Sequence, residues 1–597
     1  MDLLDYYRDN LLYIRGLAAE FAAEFPKIAG RLNLSDFECQ DPYIERLLEG
    51  TAFLSAKIEK KLDEGYYCFL ESVLNSLAPN ALYPVPAGGV LELILNSGNE
   101  RIRQGMILEA GTFFDASIPT INTPCRFSSV TAVPLTGFSL TEAEYVTRDM
   151  SVFGIANSEA VSALHLALTA GSGDFSNSLD EILFFINLPQ TDASILQCQL
   201  MHDIAAVYVR NKDKNYIRFP DIIIELPMIT GGEAFYKKLK GTVKGLGLLQ
   251  HFLTYPVFFK FFLIKNLKPF LISGGTSIEL VIMFKRREPS LVASIKPAVL
   301  KLNCVPVVNL FTKRSDRITI DRENYQFHLV PDRTAMRDYE VLSIHRLEFF
   351  NERNKTLFFA HNFYDENIEN NKSNFFSHNR RKTLFDPKAM QRSSYSGTEV
   401  FVSFSAQSPE LEQAHQFAAD LICTNRDLPL LLLPDTALSS HTPLVQKASF
   451  VGFPSRPDYP LVERGNVSDF AKLSHIIFNL SSMLWQDGII PLQMLKNLLR
   501  NYRSPSGEIE EMVEGIIKLE SEQVSFRFIK KGTVFFEYGW KVTITLDELA
   551  YTGTGYYIFA RVIGELLKFF APINVLLEIH FYTLQSGRVA VWKTLEN

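Results

Sequence analysis

The sequence offers no cysteine framework. Its six cysteines, at positions 39, 68, 125, 198, 304 and 423, are scattered through 597 residues without a CxxC pair. That spacing indicates neither a disulfide scaffold nor a zinc knuckle, so reduced, mostly buried thiols are expected. Long apolar runs are missing too. A membrane helix needs about 18 to 20 consecutive apolar residues. The charge-free stretch from Ser72 to Leu91 is broken by Pro79, Pro84 and Pro86, and the one from Gly245 to Phe259 by Gln250, His251 and Pro256. Neither would be stable in lipid. An excess of one charge is also lacking. The 60 Lys and Arg against 67 Asp and Glu give a formal charge of -7, with no long-range field to draw in nucleic acid or an anionic membrane. None of the eleven histidines sits in an HxH, HxxxH or HExxH arrangement, which disfavours a metal site. The GxSxG and GxxxxGK[ST] patterns are absent as well, and no cofactor is implied.

What the chain does have is length and aromatic content. Its size predicts about three to five domains. Its 47 Phe and 23 Tyr, with a mean hydropathy of +0.03, are high for a chain without a membrane span. Some of that apolar surface could face partners, although large chains also bury more of themselves. The acidic start, Met1 to Asp9, lacks the basic and apolar regions of a secretory signal, so a cytoplasmic address is expected.

Periodicity organises the first 86 residues as helix. Leu3, Tyr7, Leu11, Ile14, Leu17, Phe21 and Phe25 draw one stripe, ended by Pro26. Asp41 can cap and Pro42 can open a second helix, with Ile44, Leu47, Leu48, Thr51, Leu54, Ile58 and Leu62 in register. A third, shorter helix is expected from Tyr66 to Ala78. Long striped helices must pack against each other or against a partner's helices. Leu11, Leu17, Phe21, Leu47, Leu54 and Ile58 are therefore the candidate partner-facing residues. Residues 87–360 read as β-rich and sandwich-like, with strands expected at Val90 to Leu95, Ser277 to Phe284 and Val305 to Phe311 in a region of two subdomains. Residues 361–395, rich in Asn, Ser and Arg, read as an exposed loop or linker whose run Asn379 to Lys382 could also grip an acidic surface. Residues 396–597 read as an α+β domain with helices at Asn466 to Leu484, Leu492 to Tyr502 and Tyr556 to Phe570, and a closing hairpin around Gln585-Ser586-Gly587. The fold class is thus multidomain α+β.

Two clusters invite a chemical reading. Cys423 needs a base to become a thiolate, and His415 lies a few residues before it; the alternative is a strand ending in a turn made by Asn425 and Asp427. Gly553-Thr554-Gly555 precedes a helix and could hold an anion, but Asp547 and Glu548 oppose that, and a start capped by Thr554 is the plainer reading. His475 reads as a core residue on an apolar stripe.

Several segments, taken in order, resemble the TssF family, also called VasA or ImpG. The stretch Glu24 to Leu32 resembles the family's PKIA-x-RL exit, and Asp41 to Gly50 its DPxVERLxEG helix. Leu248-Leu249-Gln250-His251-Phe252 with Pro256, then Leu302 to Phe311, Gly397 to Val400, Cys423 to Pro429, Leu546 to Glu548 and Ile573-Asn574 follow in the family's order. The chain departs from it at Asn374 to His378, which is blurred, at Ser474-His475, which lacks its preceding aromatic, and at Tyr538-Gly539, where the family has RG. The resemblance implies a non-catalytic subunit of a contractile, phage-tail-like type VI secretion baseplate. Two copies would join one TssG in each wedge through a helical bundle, with TssK and TssE alongside and the ring around the VgrG spike, in the cytoplasm and docked at the inner-membrane complex. A wedge protein of a related contractile particle, or a cysteine hydrolase using Cys423 and His415, is the alternative.

Overall fold

The computed structural model describes residues 3–30, 42–77, 79–96, 106–147, 153–155, 159–170, 180–210, 215–230, 244–268, 277–321, 323–364, 374–382, 392–406, 409–434, 436–460, 491–500, 509–530, 533–571 and 576–593. The class is mixed α+β with strands predominating. The chain forms two compact units, Met1–Leu82 with Val462–Ile477, and Tyr83–Leu461 with Phe478–Asn597. No described helix is long and apolar enough to cross a membrane.

In the first unit, Leu3–Glu24 (α1) stops before Pro26, which opens a four-residue helix, Pro26–Ala29, at a position where its missing N–H costs nothing. Beyond it the structure differs from expectation. Pro42–Leu77 (α2) is one helix of 36 residues, about 54 Å long, rather than two. Between the expected pieces stands only Asp63-Glu64-Gly65, and a glycine inside a helix costs about 1 kcal/mol against alanine, too little to break it. Asp41, its expected cap, lies outside the described residues. The two helices run antiparallel. Tyr6 Oη donates to Asp63 Oδ2 at 2.7 Å, Asn10 Nδ2 donates to Glu59 Oε2 at 2.6 Å, and Arg15 pairs with Glu45. On the same face of α2, Ala52 and Ala56 are fully buried, and their small side chains let the backbones approach.

The second unit contains a closed barrel where open sandwich sheets were expected. Its strand order is Gly88–Leu95 (β1), Cys304–Val308, Ile121–Ser129, Phe113–Ile118, Leu438–Ser440 and Val445–Phe450. β1 is antiparallel to Cys304–Val308 on one side and to Val445–Phe450 on the other. Phe127 and Phe450 meet edge to face inside it, at 5.1 Å.

An eight-stranded sheet is built around Glu340–Phe350 (β2), Asn374–Lys382 (β3), Thr398–Ala406 (β4) and Gln416–Thr424 (β5). β3 lies inside the segment read as an exposed loop, 361–395, and corrects that reading. It pairs with β4 residue for residue from Asn374↔Ala406 to Lys382↔Thr398, with Phe376 and Arg380 buried. Its polar side chains hid the period of two on which strand recognition rests. A boundary at 395/396 would therefore cut through a sheet, since β4 and β5 pair with strands that precede it.

Five- and four-stranded sheets lie around Gln190–His202 (α3). The chain closes with a four-stranded sheet, Ile516–Lys530 (β6), Thr533–Leu546 (β7), Leu576–Thr583 (β8) and Gly587–Lys593 (β9), in that spatial order, and the expected last hairpin is present as β8–β9. Tyr556–Phe570 (α4) covers one face of it, with Tyr556 and Phe581 rings 6.1 Å apart. Thr554 is not its cap. The cap position is Gly555, at φ +79°, and the side-chain acceptor comes from α3, where Ser194 Oγ accepts from the Tyr557 N–H at 3.1 Å. A Cβ on Gly555 would lie 2.5 Å from Ser194 Cβ, so only glycine lets the two helices meet there. The expected helix Asn466 to Leu484, with His475, lies outside the described residues.

Candidate protein-docking surface

α2 carries apolar residues on two sides. One side, with Leu48, Ala52 and Ala56, packs toward α1. On the other, Leu47, Leu54 and Ile58 are 70%, 62% and 62% exposed, and Tyr43, Leu62 and Phe69 are exposed with them. Steps of four and seven residues keep these six within about a 100° sector at 100° per residue, a mainly apolar stripe running about 39 Å along the helix and shared with Thr51, Lys61 and Gly65. On α1, Leu17 and Phe21 are exposed and Leu11 is half-buried, so that stripe divides between packing and solvent. Tyr43, Leu62 and Phe69 extend the surface beyond the six candidates. Isolated apolar side chains are normal on surfaces, whereas several aligned along one helix face are a candidate interaction site.

The thiol reading fails on geometry. Cys423 is buried near one end of β5, where burial pushes its thiol pKa up, while His415 precedes the other end, half-exposed and 3.3 Å from Glu352. Eight residues of extended strand put about 26 Å between them. Among the described residues no three His, Cys, Asp or Glu side chains group as a metal ion requires.

Past Cys423 the chain turns into a buried polar junction. Asn425 Oδ1 accepts from the Arg126 N–H at 2.8 Å and from Asn309 Nδ2 at 2.9 Å, and Asn309 Oδ1 accepts from the Asn425 N–H at 2.6 Å. Two amides thus tie barrel strands to the eight-stranded sheet. Arg426, at φ +50°, donates to Glu399 Oε1 at 2.8 Å, and Glu399 also meets His328 Nε2 at 2.8 Å. Burial alone would raise the Glu399 carboxyl pKa, but the His328 hydrogen bond and the Arg426 charge outweigh it and hold it below the usual range. Arg392 spans Asp338 at 2.7 Å and Asp427 at 3.0 Å, while Glu340 accepts from the Thr398 N–H at 2.8 Å and from Tyr395 Oη at 2.9 Å. These charges are committed to one another across strands, an arrangement that fixes elements in place.

The sequence model of one family, described as "Type VI secretion system, TssF", matches residues 1–596. The chain belongs to the TssF family. It is 30% identical to the type VI secretion system component TssF1 of Pseudomonas aeruginosa, over 99% of this chain and 98% of that one. Two solved structures share its fold. One is a chain of a type VI secretion system TssK-TssF-TssG baseplate subcomplex, with a TM-score of 0.73 and 19% identity over 93% of this chain and 99% of that chain. The other comes from the baseplate complex of a type VI secretion system, with a TM-score of 0.54 and 17% identity over 99% and 98%.

The segments that resemble the TssF family are mostly structural in this chain. Leu302 to Phe311, Gly397 to Val400 and Cys423 to Pro429 converge on the polar junction. Leu248 to Phe252 lies in the helix Lys244–Thr254, where His251 is buried among the rings of Tyr255, Phe258 and Phe259 at 5.4 to 5.7 Å. Burial pushes its pKa down to about 3, so this TssF-family chain keeps a neutral imidazole in its core. Sequence reasoning missed the junction because its partners are far apart in the chain. Its visible signals are Asn309, inside the apolar run Val305 to Phe311, and the turn residues Asn425 and Asp427.

Proposed function

We propose that the chain is a structural, non-catalytic subunit of a type VI secretion baseplate wedge. The observation that carries this reading is the exposed stripe of α2. A 36-residue helix packed on one side and apolar along the other is half of a helical bundle, and a partner's helices would complete it. TssG is the partner proposed for that surface, at two copies of this chain to one TssG. TssK, TssE and the VgrG spike are its further neighbours, in a cytoplasmic particle docked at the inner-membrane complex. Support comes from the solved chain of like fold that belongs to a subcomplex of TssK, TssF and TssG. Leu11, Leu17, Phe21, Leu47, Leu54 and Ile58 are proposed to face the bundle.

The test is co-expression with TssG. A stable complex with two copies of this chain to one TssG is expected, and a clean monomer that ignores TssG would refute the reading. Replacing Cys423 with Ser leaves assembly intact if the chain is a scaffold; loss of a hydrolytic activity on that change would favour the enzyme instead.

A further inference from the structure

The hairpin β6–β7 outruns its sheet. Among the described residues β8 joins β7 only from Gly539↔Leu576 onward, so residues 533–538, paired with 525–530, form a two-stranded ribbon there. Side chains alternate between the faces of a strand, and residue parity therefore shows where each face goes. Val542, Ile544 and Leu546 lie on one face with Leu577, Ile579 and Phe581 of β8, all buried. α4 covers them: a Cβ on its Gly564 would sit 3.5 Å from Ile579 Cδ1. The same face of β7 continues outward through Trp540, which is partly buried, to Tyr538, Phe536 and Val534. There the cover ends. Tyr538 is 73% exposed, Phe536 70%, and Val534 is exposed beside them. The core face of the sheet thus runs on past its helix, uncovered.

The residues opposite on β6 narrow the occupant. Ser525 faces Tyr538 and Arg527 faces Phe536. Arg527 is exposed, and no described carboxylate pairs with it; Glu520, Glu522 and Glu537 have the other parity and stand on the opposite face. Two ribbons laid face to face would bring two Arg527 guanidinium groups together, which opposes pairing with a second copy. We infer that the ribbon is a docking arm for an amphipathic helix of a partner protein, which continues the α4 layer over Val534, Phe536 and Tyr538 and sets a carboxylate against Arg527. The contact is small. It adds a specific grip to an assembly held mainly elsewhere.

This inference rests on the proposed assembly, and the experiment separates the two. A photo-crosslinking amino acid placed at Tyr538 in the full chain, co-expressed with TssG and TssK, is irradiated and the adduct identified by mass spectrometry. The expected adduct is a helical peptide of one of those partners carrying Leu or Ile at steps of three and four and an Asp or Glu among them. Arg527→Glu should cut its yield at least fivefold, and reversing the charge of that partner residue should restore it. An adduct to a second copy of this chain, an adduct to a peptide without that pattern, no adduct, or a yield indifferent to Arg527→Glu would each overturn the inference. Co-purification with TssG is read in the same samples, and its loss would tell against the assembly reading instead. Phe536→Ser with Tyr538→Ser, both on the exposed arm, should leave the thermal unfolding of the isolated chain unchanged while removing the partner adduct from a crosslinker at Ser525, which faces Tyr538.

Discussion

Gly397 and Arg426 lie against each other, both in the left-handed backbone region that glycine adopts freely and arginine rarely does. Gly397 sits at φ +72°, and a Cβ there would come 3.0 Å from Arg426 Nε, while Arg426 itself sits at φ +50° and reaches Glu399. Gly397→Ala should therefore cost the about 1 to 2 kcal/mol of a left-handed residue, and more where Arg426 is displaced. Arg426→Ala should cost about 3 to 5 kcal/mol, because it strands a buried carboxylate, and urea unfolding of the full chain measures both. His251 gives a pH prediction. Its folded pKa of about 3 lies below an unfolded value of about 6.5, so the unfolded chain takes up the proton first and stability falls as pH drops between those values. His251→Phe should remove about 2 kcal/mol of the stability lost between pH 7 and pH 5. An unchanged pH slope would contradict the neutral, caged imidazole. Glu399 acts lower on the scale. Its folded pKa is depressed, so its contribution is present above the unfolded carboxylate value and disappears as pH falls through the folded one. At this scale the sequence showed the letters of the junction but not the contacts, since Asn309 and the Asn425 it meets are 116 residues apart in the chain.

Among elements, those with a strong local period were legible. The strand Ser277–Phe284 and the helix Tyr556–Phe570 have the bounds their patterns predict. The stripe of α2 was legible as a stripe, but not which side of the helix packs. Leu47, Leu54 and Ile58 announce the larger apolar face, whereas the packed face is marked by Ala52 and Ala56, whose small size makes no signal. The two faces can be separated by mutation. Leu47→Asp with Leu54→Asp adds charge to exposed positions and should leave the melting of the isolated chain nearly unchanged while abolishing co-purification with TssG. Ala52→Asp with Ala56→Asp buries carboxylates against α1 and should lower helix content on its own, by circular dichroism. Loss of helix in the first pair would place that stripe in the internal core. Ser194→Ala tests the cap that α3 lends to α4, with an expected cost of about 1 kcal/mol in urea unfolding.

For the whole molecule, the barrel was beyond reach of any local pattern, because the neighbours of β1 lie in distant parts of the chain. A chain beginning at Tyr83 keeps β1 and should unfold cooperatively on heating, whereas one beginning at residue 97 leaves the barrel open and should not. The same wiring sets an order of events during synthesis. Roughly 350 residues separate the end of β1 from the strand Val445–Phe450, and at about 5 to 20 residues per second the ribosome takes roughly 20 to 70 s to deliver the second neighbour. Throughout that interval the barrel stays unclosed, while the residues of α1 and α2 have already been made. On the proposed docking of TssG along α2, a partner present at the ribosome would meet that helix on a half-made chain, before the barrel has closed.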